Sequence, residues 1–404
     1  MSKLERGKTR IKGFSSAEME FQLLRQLGSC SYGGASVGEC LAAAARIVDG
    51  DPSSWVDAFA ELGEHEENDA RKRAGKGHFI SARDQFLKAS NSYRAAEYYT
   101  YSDGDKHRDL GMKSRECFHE AMSYAAHTFE SILLPYKEIQ LPVYFMAPDA
   151  EAKKRKTLLI VSGYDGTLEE EYLMRGKAAL ERGMNVILFA GPGQMDTLRY
   201  NPDTHFEPDF ENPVKVVVDF CAARPEVDLE HLALLGISFG GYFATRAAAF
   251  EKRLTALIAN SPIVNLHHYM TAFAGEDLAK VEDFRLEDIP GIPEKWMSKH
   301  DKIMTANLIK RFGQSTFKDT FDYLNAFNVE HALSNIQCPC FAMLGVGEGE
   351  EPKRQSLFFS EKVSGPVDSY VFTEPEGADA HCQAGNTSFA ASVFLDWLEE
   401  QSLK

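Results

Sequence analysis

From Lys156 onward the chain repeats one unit, a short and continuously apolar run followed by an amphipathic run closed by glycine or proline. The apolar runs are KTLLIVSG, MNVILFAG, HLALLGI and LTALIANSPI, separated by LEEEYLMRGKAALERG, FENPVKVVVDFCAARP and GGYFATRAAAFEKR. Strands that are apolar at every position have both faces covered, and the intervening helices supply the cover. The pattern therefore predicts an α/β fold with a mostly parallel, doubly wound sheet. It breaks off over residues 264–332, which read as helix and loop, and resumes with CPCFAMLGV, a helix near 353–363, VDSYVFT and TSFAASVFLDWLEEQ. A helical insertion in such a sheet is expected over the carboxyl ends of the strands, the edge where open α/β sheets hold ligands.

The segment ahead of the alternation differs in texture. Residues 15 to about 130 read as helical, most clearly where Phe79, Ala82, Phe86, Ala89, Tyr93 and Ala96 recur at steps of three and four and form one apolar stripe. LLPYKEIQLPVYFMAPDA then alternates and carries prolines, which predicts an antiparallel hairpin at a sheet edge. The expected organisation is a helical amino-terminal cap over 1–132, a core made of 133–263 and 333–404, and a helical lid insertion over 264–332.

One pentapeptide in this frame carries chemistry. Gly236-Ile237-Ser238-Phe239-Gly240 fits the G-x-S-x-G nucleophile-elbow pattern, with a strand before it and a helix after it. The turn lifts the serine oxygen clear of the sheet at a helix amino terminus, where partial positive charge favours an anionic intermediate. A nucleophilic serine needs a base, and the base needs an orienting acid, in the chain order serine, acid, histidine. Of twelve histidines only His381 lies beyond the penultimate strand, in EPEGADAHCQAGN, which makes it the candidate base. The acid is expected after CFAMLGV, where the loop offers Glu348, three residues past Gly345, with Glu350 as the alternative. Backbone amides of Phe239 and Tyr164 are the candidate oxyanion hole, and Asp165 and Glu169 are candidate caps for the helix that follows Tyr164.

Other classes lack support. A net charge of −16 with no basic block disfavours nucleic acid as a partner. No apolar run approaches a membrane span, and MSKLERGKTRIKGFSSAEME lacks the apolar centre of a signal peptide. Seven irregularly spaced cysteines suit reduced thiols and a cytoplasmic location, with Cys338 and Cys340 expected to pack at a strand entrance. GPGQMD at 191–196 lacks the third glycine and the acid of a dinucleotide loop, so no cofactor is expected. His267 and His268 are adjacent without a Cys/His set or an HExxH motif, so no metal is expected either.

SGYDGTLEEEY, ILFAGPGQMDTLR, FEPDFENPVKVVVDF, GISFGGYFATRAAAFEKR and EGADAHCQAGN together resemble an α/β-hydrolase group. It contains 2,6-dihydroxypseudooxynicotine hydrolase and the fungal hydrolases that shorten or modify polyketide products. The resemblance implies the α/β-hydrolase fold with a helical cap, Ser238 as nucleophile, His381 as base and an acid within 348–350. It also implies a small hydrophobic substrate attacked at a ketone or ester carbonyl, including carbon–carbon cleavage of β-diketones, and a homodimer formed through the cap. Two positions depart from the group's pattern: Met195 where a glycine is expected, and Ala190 where an aspartate often stands. Ester or lactone hydrolysis, triad-dependent cyclisation, a prolyl-oligopeptidase-like peptidase and a non-catalytic ligand-binding protein on the same scaffold are the alternatives.

Overall fold

The computed structural model describes residues 13–275 and 282–401. Eight strands lie in one sheet: β1 Thr128–Tyr136, β2 Ile139–Ala147, β3 Arg155–Val161, β4 Asn185–Phe189, β5 Val227–Ile237, β6 Ala256–Asn260, β7 Cys340–Gly345 and β8 Val367–Phe372. Their order is β1-β2-β4-β3-β5-β6-β7-β8. β1 and β2 form the edge hairpin and β2 meets β4 antiparallel, while every pairing from β4 to β8 is parallel. The hairpin begins at Thr128, a few residues ahead of the boundary expected at 133, because the preceding helix Asp105–Ser123 stops short of it.

Alternate residues of each strand feed opposite faces of the sheet. Leu158, Ile160, Val186, Leu188 and Leu235 join one core. Leu159, Val161, Ile187, Phe189 and Leu234 join the other, with Val214 and Val217 of helix Glu211–Ala222 and Phe243 and Ala247 of helix Phe239–Phe250. The first core is continuous with the amino-terminal helices through Met19, Trp55, Phe59, Phe86, Tyr93 and Phe118, so these helices are packed against the sheet. The stripe on helix Phe79–Tyr98 is buried from Ala82 to Ala96, but Phe79 is exposed, and its ring stacks on Tyr124 at 5.2 Å. It stands in the helix's first turn, ahead of the part that two neighbouring helices enclose.

Between β6 and β7 the chain forms helices Leu266–Ala274, Lys299–Arg311 and Phe317–Tyr323. Ser298 and Asp301 form a reciprocal capping box that starts the second of these. Among the described residues no helix is long and apolar enough to cross a membrane.

Candidate active site

Ser238 joins β5 to helix Phe239–Phe250 at φ 58°, ψ −123°, a left-handed conformation that a side-chain-bearing residue adopts only at a cost of about 1–3 kcal/mol. The surroundings hold it there. The Ser238 N–H donates to the Asn260 carbonyl at 2.7 Å, and a Cβ on Gly236 would collide with the Gly240 carbonyl. Glycine on both sides is what lets the strand turn straight into the helix.

His381 lies in a short turn after β8, in which Cys382 and Gln383 both have φ of 54°. That turn is fastened by Arg175, which donates to the Cys382 carbonyl at 3.2 Å, and by Asn260, which donates to the Gln383 side chain at 2.7 Å. The ring reaches both other candidates: Nε2 is 2.9 Å from Ser238 Oγ, and Nδ1 is 2.7 Å from Glu348 Oε2. An ionised carboxylate only accepts, so Nδ1 carries a proton and Nε2 of the neutral ring turns its lone pair to the serine. Glu348 is fully buried in the turn after β7, and its Oε1 accepts from the Gly345 N–H at 2.9 Å. Glu350 is exposed and opens helix Glu350–Lys362.

The Cys382 thiol lies 3.4 Å from the same Nε2. Burial disfavours a charged ring, but the Cys382 sulfur and the Glu348 carboxylate outweigh it and hold the His381 pKa above its ordinary value.

Phe239 is the first residue of its helix, and Tyr164 lies in the loop after β3. That loop comes close to the elbow because residue 163 is glycine, where a Cβ would sit 2.7 Å from the Ile237 carbonyl and 2.8 Å from the Phe239 nitrogen. The Tyr164 ring packs edge-on to Phe239 at 5.5 Å.

Above these groups is a cavity of about 430 Å³. Ser238, His381, Cys382 and Tyr164 line its floor, and Phe21, Arg25 and Tyr98 of the amino-terminal helices line one wall. Tyr269, Phe273, Met304, Leu308 and Phe321, from the segment between β6 and β7, line another with apolar surface. A half-open, mostly apolar cavity with a few convergent polar groups suits a small hydrophobic molecule. Among the described residues no cluster of three His, Cys, Asp or Glu side chains is disposed to hold a metal.

The helix after Tyr164 differs from expectation. Its cap is Thr167, whose hydroxyl accepts from the Glu170 N–H, because Thr167 is the residue directly before the first turn. Asp165 instead accepts from Arg25 at 3.1 Å, and Glu169 accepts from the Tyr144 hydroxyl at 2.6 Å and from Arg199 at 3.1 Å. Arg25 and the aromatic wall were not legible in the sequence, because each reaches the site from a distant segment and no local pattern marks it.

The profile of the prolyl oligopeptidase family matches residues 207–284, the stretch that contains the elbow. The 20-hydroxy-prefusarin hydrolase FUS2 of Gibberella moniliformis (strain M3125 / FGSC 7600) is 36% identical over 258 residues, 61% of this chain and 61% of that protein. Hydrolase LUC6 of Fusarium sp is 28% identical over 421 residues, 96% of this chain and 97% of the other. The chain thus spans about three fifths of the first relative and nearly all of the second. Among solved structures, 2,6-dihydroxy-pseudo-oxynicotine hydrolase has a TM-score of 0.69 at 22% identity, covering 92% of this chain and 94% of that one. AbyA5 has a TM-score of 0.61 at 15% identity over 92% and 93%. With the eight-stranded sheet and the elbow after β5, these likenesses identify the chain as a protein of α/β-hydrolase fold, similar to fungal α/β hydrolases.

Proposed function

We propose that the protein is a serine-dependent hydrolase that cleaves a carbon–carbon bond beside a ketone in a hydrophobic, β-diketone-like or aryl-ketone substrate of polyketide type. The observation that carries this reading is the unbroken hydrogen-bonded chain from Glu348 through His381 to Ser238 on the floor of a largely apolar cavity. The helices between Ala17 and Ser123 act as its cap, and the helices Leu266–Ala274, Lys299–Arg311 and Phe317–Tyr323 as its lid.

Ser238 Oγ attacks the carbonyl carbon while His381 Nε2 takes its proton, and Glu348 stabilises the imidazolium that forms. The amides of Phe239 and Tyr164 hold the oxyanion. Collapse of the tetrahedral intermediate expels a carbanion equivalent, which must be delocalised as an enolate or phenolate and which His381 protonates. Water, activated by the same ring, then releases the acyl group. The carbon–carbon reading and the polyketide substrate class come from the resemblance, and an ester needs no such electron sink. FUS2, by its name a hydrolase of 20-hydroxy-prefusarin, supports hydrolysis of a small molecule.

A fluorophosphonate probe tests the nucleophile: it labels the wild type and fails to label Ser238→Ala. Absence of label on the folded wild-type protein would turn the reading to a non-catalytic ligand-binding protein. Product analysis with a β-diketone and an aryl ester carrying the same acyl group then separates the chemistries. Ester turnover without diketone cleavage would reduce the protein to an esterase.

The environment of His381 sets the expected pH dependence. The Cys382 sulfur and the Glu348 carboxylate beside the ring favour its charged form against burial, so the neutral base accumulates only as pH rises past an imidazole pKa above the ordinary value. The alkaline-rising limb of kcat/KM is expected above pH 6.5, and Glu348→Gln moves the ring's titration to lower pH, as read by NMR of the His381 imidazole. A titration that stays put in that variant would contradict the coupling.

A further inference from the structure

The GPGQM turn at 191–195 has no role in the mechanism above, yet Gln194 is fully buried and points at the oxyanion loop. Its Oε1 accepts from the Gly191 N–H at 2.7 Å, which fixes which end of the amide faces which way. Its Nε2 donates to the Ser162 carbonyl at 2.7 Å and to the Gly163 carbonyl at 3.1 Å. The Gly163 carbonyl and the Tyr164 N–H belong to one planar peptide unit, so holding the oxygen sets the direction of the N–H.

The peptide on the other side of Tyr164 is held from a different segment. Arg311, the last residue of helix Lys299–Arg311, donates to the Tyr164 carbonyl and, through Nε at 2.9 Å and a terminal nitrogen at 2.7 Å, to the Gly193 carbonyl. Its guanidinium lies 3.9 Å over the Tyr164 ring and 4.9 Å from the Phe206 ring. Met195 supplies a sulfur contact at 3.8 Å, a use for the residue that stands where glycine is expected. Arg311 is 2% exposed, and among the described residues its partners are carbonyl oxygens, a sulfur and ring faces rather than a carboxylate. This buried cation, which the carboxylates of Asp165 and Glu97 stabilise through space, therefore sits beside the loop where negative charge would develop.

We propose that Gln194 and Arg311 are positioning residues for the Tyr164 amide. One pins the peptide plane before Tyr164 and the other the plane after it, so the oxyanion site is complete only when the 299–311 helix is docked. The proposal rests on the hydrolase reading above.

The test compares two ligands of equal shape. An aryl trifluoromethyl ketone gains a bond from Ser238 Oγ to its carbonyl carbon, the serine proton passes to His381, and the carbonyl electron pair becomes an oxyanion. The matching methyl ketone binds without that step. Gln194→Ala and Arg311→Met are each expected to weaken the trifluoromethyl ketone by about 10- to 100-fold. Both leave the methyl ketone within about twofold, and Arg311→Lys falls between them and the wild type. Absence of a covalent adduct on the wild type would overturn the hydrolase reading itself. A wild-type adduct that both folded variants retain at full affinity would overturn the positioning role alone. Equal losses for both ligands would also overturn it, since that is what a merely structural role predicts. Circular dichroism and melting temperature establish folding, and Gln194→Ala carries the test if Arg311→Met does not fold.

Discussion

Under the proposed mechanism Ser238→Ala is expected to lower kcat by about 10⁶-fold and Glu348→Gln by about 10⁴-fold, with the double variant no slower than Ser238→Ala alone. The first loss is that of the proposed nucleophile. The second comes from a conflict between two donors. Glu348 accepts on Oε1 from the Gly345 N–H and on Oε2 from His381 Nδ1. Glutamine has one oxygen and one NH₂, so it cannot accept from both. If the oxygen stays with Gly345, the NH₂ faces Nδ1, the ring takes the tautomer protonated on Nε2, and no lone pair is left for Ser238 Oγ. Because the three groups act as one unit, losses in the chain do not add. Steady-state kinetics on the three variants checks this, and ¹⁵N NMR of the ring reports the tautomer. A double variant slower than Ser238→Ala by the full product of the two factors would refute the single-unit mechanism.

Much of the fold and three side chains of the candidate site were legible because the signals are local or ordered along the chain. The α/β-hydrolase fold follows from continuous apolar strands alternating with amphipathic helices, and the sheet order agrees with it. Ser238 announces itself through glycines two residues away on each side, and His381 through being the histidine after the last strand. Spacing alone left Glu348 and Glu350 open. What separates them is a turn in which the Gly345 amide draws Glu348 inward while Glu350 starts an exposed helix. Arg25, Gln194 and Arg311 were opaque for another reason. Their partners lie 145, 31 or 32, and 147 residues away, and nothing in a neighbouring sequence marks such a meeting. The run Glu169-Glu170-Glu171 misleads most, since three consecutive glutamates resemble a solvated helix face, yet all three are buried.

That run is the basis of the largest expected effect on stability. Each glutamate has its own cation: Glu169 meets Arg199 at 3.1 Å, Glu170 meets Arg25 at 2.5 Å and Arg94 at 3.6 Å, and Glu171 meets Arg175 at 2.7 Å. Arg25 belongs to helix Ala17–Gly28 and Arg94 to helix Phe79–Tyr98, so Glu170 ties two amino-terminal helices to the helix that follows the Tyr164 loop. Removing one member of a buried ionic group strands the charge of the others, which costs about 3–5 kcal/mol. Glu170→Ala is therefore expected to destabilise the protein by about that amount, read as a lower urea midpoint. Burial opposes ionisation of Glu170, but Arg25 and Arg94 outweigh it and hold its pKa below the ordinary carboxylate value. A depressed folded pKa gives stability that is complete above the unfolded value, about 4.3, and is lost as pH falls through the folded one. The gap in urea midpoint between wild type and Glu170→Gln should accordingly be full at pH 7 and shrink on acidification below about pH 4. A gap that stays constant with pH would mean that Glu170 acts through packing alone and not as the counter-charge that docks the two helices.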